Sequence, residues 1–391
     1  MGYNSYQKLQ DNIAAIRIAL AWKEGQPLSS EDVLALKSYS GFGGLKAVLF
    51  PHAAKEEWIK LNASKEDLKL YPQIIELHKL LQEHLSASDY KQVVDALRNS
   101  ILTAYYTPAI VPQTIFTILK EQNLEPKSLY EPSSGAGVFV TEAVTAFSEL
   151  KTITAVEKDI LSGRVLTALS SSLSIPVNIQ IKGFEHTDDS ENGTFDLIIS
   201  NIPFGNFKVY DKNYPDETIS GKIHNYFFAK GLDKIKEGGL LAFITTDAFL
   251  NSPSNKAARE YLFQHADYIS LNVMPDNLMK DTGNTEAPSH LLIVQKNTTK
   301  RELSHHEKEL LHTVELKNEY GEYTVNNYLF HHPELIIGNE IKAGKNQYGK
   351  AHEVVWQNGD INLIGKQLSA TVEDGIKRRL NRQAFTSPIQ N

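Results

Sequence analysis

Between about residue 105 and residue 297, short apolar runs alternate with helix-like segments, and that alternation restricts the chain to a small set of folds. The strand candidates are Ser128–Glu131, Thr152–Glu157, Val177–Lys182, Phe195–Ser200, Leu240–Thr245, Tyr268–Val273 and His290–Gln295. Val138–Leu150, Ile160–Leu173 and His224–Lys236 are among the helix-like stretches between the first five. Strands joined through helices run parallel, because a parallel return needs a long crossover. The last two candidates are joined instead by a loop holding Pro275, Gly283 and Pro288, so they are expected to close the sheet as an antiparallel hairpin. The expected class is α/β: a doubly wound, mostly parallel seven-stranded sheet with a C-terminal antiparallel hairpin.

Residues 1–100 read as a helical N-terminal region, with periodic stretches at Tyr6–Lys23, Glu31–Tyr39, Leu68–Leu85 and Asp89–Leu102. Ser30 before Glu31 and Asp32 reads as a helix cap. The cluster Gly41-Phe42-Gly43-Gly44 interrupts this region; a turn between helices is the ordinary explanation, a cofactor or nucleic-acid loop the other. Residues 101–300 carry the sheet. Residues 301–391 form a polar C-terminal extension with a helix-like Glu302–His312, an extended Tyr323–Ile337 and a basic tail at Lys377, Arg378, Arg379 and Arg382.

Composition removes several chemistries. The chain has no cysteine, which excludes disulfides, thiolate zinc sites, iron–sulfur clusters and cysteine nucleophiles. The pairs His305-His306 and His331-His332 lack companions at ligand spacing, so no metal site is expected. No apolar run reaches the roughly 20 residues of a membrane span, and the N-terminus lacks a signal-peptide layout, which points to the cytoplasm. A net charge of −7 argues against coating nucleic acid by bulk attraction and leaves room for a local basic cleft.

Two strand ends carry the chemistry. Glu131-Pro132-Ser133-Ser134-Gly135-Ala136-Gly137 follows the first strand and leads into a helix, where glycines permit a tight turn and close approach of a ligand. Glu157, about 20 residues further on, ends the second strand at the place from which a carboxylate grips ribose hydroxyls. A nicotinamide site would want a small residue where Val140 stands, and Glu131 would repel a pyrophosphate while attracting a cationic ligand. Phe195–Ser200 runs into Asn201-Ile202-Pro203-Phe204-Gly205: an amide acceptor, a stiff turn and a flat ring, suited to gripping a planar amine.

On these residues the chain resembles the S-adenosylmethionine-dependent N6-adenine DNA methyltransferases, whose catalytic turn is Asn/Asp-Pro-Pro-Tyr/Phe. Tyr105-Tyr106-Thr107-Pro108 is similar to their upstream donor motif, Glu131-Pro132-x-x-Gly135-x-Gly137 to their glycine-rich loop, and Glu157 to their ribose acid. Phe184 and Glu185 stand where the family lines the donor's adenine pocket. Within the family the chain is most similar to the large methylases of bacterial conjugative elements, through Gly41–Gly44, Asn201–Gly205, His224-Asn225-Tyr226-Phe227 and the Asn327–Gly338 segment. The resemblance covers about residues 100–297. It implies a class I, Rossmann-like methyltransferase that binds S-adenosylmethionine through Tyr106, Thr107, Pro108, Glu131, Ser133, Gly135, Gly137, Glu157, Phe184 and Glu185. Catalysis would fall to Asn201, Ile202, Pro203 and Phe204, with DNA as partner and a helicase or target-recognition domain alongside. The chain departs from the family at Ile202, where most relatives carry proline. Only the carbonyl of that residue is expected to matter, so isoleucine can serve and proline is expected to fit.

Three other readings stay open. An RNA or protein-glutamine methyltransferase would use the same grip, a non-catalytic donor- or DNA-binding module would keep the pockets without turnover, and a nicotinamide enzyme would need a different loop. Asn206–Lys222, with Lys208, Tyr210, Lys212 and Tyr214, is long enough to approach a target and equally reads as a solvated loop. The helical region and the tail are expected to hold DNA while the central sheet holds the donor.

Overall fold

A computed structural model describes residues 3–100 and 106–388. Four helices dominate the N-terminal region: α1 (Ser5–Ala21), α2 (Ser30–Lys37), α3 (Tyr71–His84) and α4 (Ala87–Ser100). The cap of α2 is Ser29, one residue before the expected position. Its hydroxyl accepts the Asp32 N–H at 3.0 Å while the Asp32 carboxylate accepts the Ser29 N–H at 3.1 Å. Only a hydroxyl three residues before Asp32 can close that reciprocal pair, which makes Ser30 the first helical residue.

The central sheet contains β1 (Ser128–Glu131), β2 (Thr152–Glu157), β3 (Val177–Ile181), β4 (Phe195–Asn201), β5 (Ile235–Thr246), β6 (Ala266–Met274) and β7 (Ser289–Lys296). Their order is β3-β2-β1-β4-β5-β7-β6. Pairings among β1 to β5 are parallel, and β7 inserts antiparallel between β5 and β6. This is a doubly wound, Rossmann-like arrangement, with the antiparallel closure at the expected end of the chain.

Alternate side chains of the central strands enter two different cores, as a two-sided sheet requires. Leu197, Ile199, Leu240, Ala242 and Ile244 face one core with α5 (Ile110–Glu121) and α6 (Val138–Ala146). Ile198, Leu241 and Phe243 face the other. A third core belongs to the N-terminal helices, yet it takes in Leu161, Val165, Ala168 and Leu169 of α7 (Ile160–Ser170), the helix after β2. The helical region is therefore packed onto the sheet through α7.

The expected helix His224–Lys236 is α8 (Ile223–Lys234), because the chain turns straight into β5 at Ile235. Lys236 looks like a helix tail in the sequence but is buried. Its ammonium pairs with Asp196 at 2.6 Å and donates to the Phe385 and Ser387 carbonyls.

The extension forms two hairpins, β8 (Thr313–Asn318) with β9 (Gly321–Asn326) and β10 (Glu340–Lys345) with β11 (Ala351–Trp356), followed by α9 (Gly365–Arg379). Ile337 reaches back to the sheet edge, its N–H donating to the Val273 carbonyl at 2.8 Å. Leu368, Val372 and Ile376 of α9 join the first sheet core. The basic tail is held by the fold. Arg379 donates to the Ile269 carbonyl and Arg382 to that of Gln122, while Lys377 and Arg378 pair with Glu373 and Asp374 one turn back. Among the described residues no helix is long and apolar enough to cross a membrane.

Candidate active site

The strand order reverses between β1 and β4, so the chain leaves these neighbours in opposite directions and opens a crevice at their C-terminal ends. Glu131 ends β1 and Asn201 ends β4, which brings the two candidate strand ends to one place. A cavity of about 600 Å³ lies there. Tyr106, Thr107, Glu131, Ser133, Gly135 and Glu157 line it, as do Asn201, Ile202, Pro203 and Phe204. Tyr105 lies outside the described residues.

The loop after β1 is tied down by the carboxylate that the sequence suggests for a ribose. Gly135 donates its N–H to Glu157 Oε2 at 2.6 Å, and the Asp159 N–H takes Oε1 at 2.7 Å. Gly135 and Gly137 both adopt left-handed backbone (φ 52° and 81°), and Gly137 caps α6. A Cβ on Gly135 would stand 2.5 Å from the Tyr106 ring, and one on Gly137 would stand 2.4 Å from Leu166. The first glycine admits the aromatic wall of the cavity, the second the packing of helix on helix.

Glu131 is almost wholly buried, and its Oε2 has no hydrogen-bond partner among the described residues. Burial first, and the neighbouring Glu157 second, raise its carboxyl well above the ordinary carboxylate range. Glu157 is pushed up to about 7 by burial and by Asp159, against the lowering effect of its backbone hydrogen bonds. Two buried carboxyls that resist ionisation are what a cationic ligand would ionise.

At the opposite wall Asn201 continues β4 and directs its Nδ2 to Met279 Sδ at 3.4 Å. The Ile202 N–H donates to the Ile244 carbonyl at 3.0 Å, and its side chain is buried in the second sheet core. Ile202 is thus engaged through its N–H and its side chain as well as standing at the turn. Phe204 lines this cavity and also a larger one of about 1150 Å³ between the sheet ends and the C-terminal hairpins.

Two residues expected at the donor's adenine do not line the cavity. Phe184 packs its ring at 4.9 Å from Phe227 and 6.0 Å from Tyr130, within the second sheet core. Glu185 pairs with Lys158 at 3.3 Å. Pro108 and Gly137 likewise do not line the cavity. The His224–Phe227 segment holds the loop beyond the Asn201–Gly205 turn. Tyr226 donates to Asp211 at 2.6 Å, and the buried Lys230 pairs with the same carboxylate at 2.9 Å. Tyr39, Gly41 and Phe42 of the helical region line the cavity too. The sequence signal for them was the glycine cluster, and its proximity to Tyr106 exists only in the fold.

Residues 138–277 match the Eco57I restriction-modification methylase family. The chain is 29% identical over 204 residues to the defense against restriction protein B of Escherichia phage P1, a match covering 50% of this chain and 8% of that protein. It is 24% identical over 310 residues to the modification methylase CviBIII of Paramecium bursaria Chlorella virus NC1A, covering 74% of this chain and 79% of the viral protein. The chain thus spans a small part of the first relative and most of the second. Among solved structures, the type I restriction-modification methyltransferase subunit of Streptococcus thermophilus aligns at 13% identity and a TM-score of 0.43, over 85% of this chain and 91% of that one.

Proposed function

We propose that this chain, whose sheet domain is that of the S-adenosylmethionine-dependent methylases of restriction-modification type, methylates the exocyclic N6 amine of an adenine flipped out of DNA. The observation that carries the reading is one cavity with buried carboxyls on one wall and an Asn-x-Pro-aromatic turn on the other. The donor set fits S-adenosylmethionine: Glu131 Oε2, which has no partner among the described residues, suits a cationic amine, and Glu157 sits at the strand end suited to a ribose. When bound, that molecule would supply a sulfonium-activated methyl group for transfer to the amine nitrogen, the sulfur–methyl bond breaking to leave a neutral thioether and the methylated amine giving up one proton to solvent.

The chain's own task is to hold the amine. An aryl amine is a weak nucleophile because its lone pair spreads into the ring. Acceptors placed at its protons, the Asn201 amide oxygen and the Ile202 carbonyl, favour the pyramidal nitrogen that attacks. Phe204 offers a face for the extruded base, a contact of roughly 1–3 kcal/mol. Alignment of the reacting atoms supplies much of the remaining acceleration. The larger cavity beyond Phe204 gives the rest of a nucleic-acid substrate somewhere to go, and a target-recognition or helicase domain is the proposed partner.

The polymer is tested by offering methyl-labelled donor with duplex DNA, RNA and a protein extract in parallel. Label confined to DNA is the expected result. Label in RNA or in protein glutamine would replace the substrate assignment, and donor binding without transfer to any polymer would make the chain a binding module.

A further inference from the structure

Gly41–Gly44 has no role in the reaction described so far, yet part of it lines the donor cavity from the side opposite the sheet. Gly41 has left-handed backbone (φ 64°), and a Cβ there would lie 2.3 Å from the Tyr106 ring. The Tyr106 ring is thereby held between Gly41 and Gly135, each stripped of a side chain where it meets the ring. Gly44 (φ 76°) packs against the segment after β6, since a Cβ there would stand 2.4 Å from the Gly283 carbonyl.

Two buried polar residues of α1 fix this loop. Asn12 is fully buried; its Nδ2 donates to the Gly41 carbonyl at 2.6 Å and its Oδ1 accepts the Ser40 N–H at 3.0 Å. Lys8 donates to the Gly43 carbonyl at 3.0 Å and also to the Thr282 carbonyl. Thr282 in turn donates its hydroxyl to the Tyr106 carbonyl at 2.6 Å, closing a ring of contacts around the donor motif. A buried amide and a buried amine are costly unless satisfied, and here both are spent on the carbonyls of a four-residue loop.

In a trans peptide the carbonyl and the following N–H point in opposite directions. With the Gly41 carbonyl drawn toward α1, the Phe42 N–H points the other way. Gly41, Phe42 and Gly43 are buried, and the N–H groups of residues 41–44 donate to no group among the described residues. Buried backbone donors without partners are rare and mark a place where a ligand supplies the acceptor.

We infer that Gly41–Gly44 is a second donor-binding loop, held by Asn12 and Lys8, whose Phe42 N–H donates to an oxygen of bound S-adenosylmethionine. The inference rests on the reading of the cavity as the donor site. It moves part of donor recognition out of the sheet and into the helical region, which the sequence suggests for DNA.

Hydrogen–deuterium exchange on the full chain, with and without S-adenosylmethionine, tests this. The amides of residues 41–44, which have no acceptor among the described residues, are expected to exchange fast in the free protein, and the donor should slow them together with the loop after β1. Protection of the loop after β1 with residues 41–44 unchanged overturns the inference and leaves the donor site standing. Protection at neither place overturns both. Gly41→Ala, which drives a Cβ into Tyr106, is expected to weaken donor binding at least tenfold by calorimetry. Parent affinity in this variant would also overturn the assignment.

Discussion

Ile202→Pro separates what the proposed catalytic turn needs chemically from what holds it in place. The resemblance to proline-bearing relatives suggests that proline is harmless there. The structure gives the opposite expectation for stability. The Ile202 N–H is bonded to the Ile244 carbonyl at 3.0 Å where β4 leaves the sheet, and proline has no N–H to offer. Losing that bond and stranding a buried carbonyl costs about 1–3 kcal/mol. The buried isoleucine also carries about one more aliphatic carbon than the proline ring, worth roughly 1 kcal/mol. The sum, about 2–4 kcal/mol, lowers the melting temperature by several degrees in a unit of this size. Ile202→Val keeps the N–H and loses one methylene, for about 0.5–1.5 kcal/mol. Differential scanning calorimetry of the three proteins, with single-turnover transfer rates at saturating donor, gives both readouts. Valine should transfer at the parent rate, and proline should melt well below valine. A proline variant melting with the parent would refute the bond to Ile244 and the turn geometry built on it.

Asn201→Ala should leave donor affinity within about twofold while lowering transfer by roughly 10²–10³, the usual cost of a lost transition-state contact; a fully active variant would place the catalytic turn elsewhere. Donor binding should strengthen with pH. Both carboxyls are raised, so in the free chain their contribution to stability is complete below the ordinary carboxylate value and is lost as pH climbs through their raised values, about 7 for Glu157. A cationic donor favours the ionised carboxylates, and the rise in melting temperature it produces should grow as pH climbs through about 7, where Glu157 ionises. A flat profile would remove the two carboxyls from donor binding.

The sheet was legible because its strands alternate with helices and end on recognisable chemistry. β1 and β2 fall on the expected residues, and Glu131, Glu157 and Asn201 stand at strand ends that the topology brings together. β5 begins earlier than expected because Lys234 and Lys236 carry charges that read as solvated, while Glu191 and Asp196 neutralise them in the interior. The tail's arginines are similarly ambiguous in one dimension, since a basic helix face gives no sign that Ile269 and Gln122 offer carbonyls to it. Phe184 shows the limit of position along the chain: a strand end near the cavity still turns its ring into the core. The place of Gly41–Gly44 was the least legible, because a glycine cluster announces a close approach without saying to what.

The central claim, transfer to the N6 amine of adenine in DNA, is tested most directly by nucleoside mass spectrometry. DNA from cells expressing the chain, and duplex DNA treated with purified protein and S-adenosylmethionine, would be digested and compared with matched samples of Asn201→Ala. The account predicts N6-methyladenine in both parent samples and its absence from the variant. N4-methylcytosine in its place would contradict the base assignment, and unmodified nucleosides from a chain that binds the donor would contradict the claim that it acts on DNA.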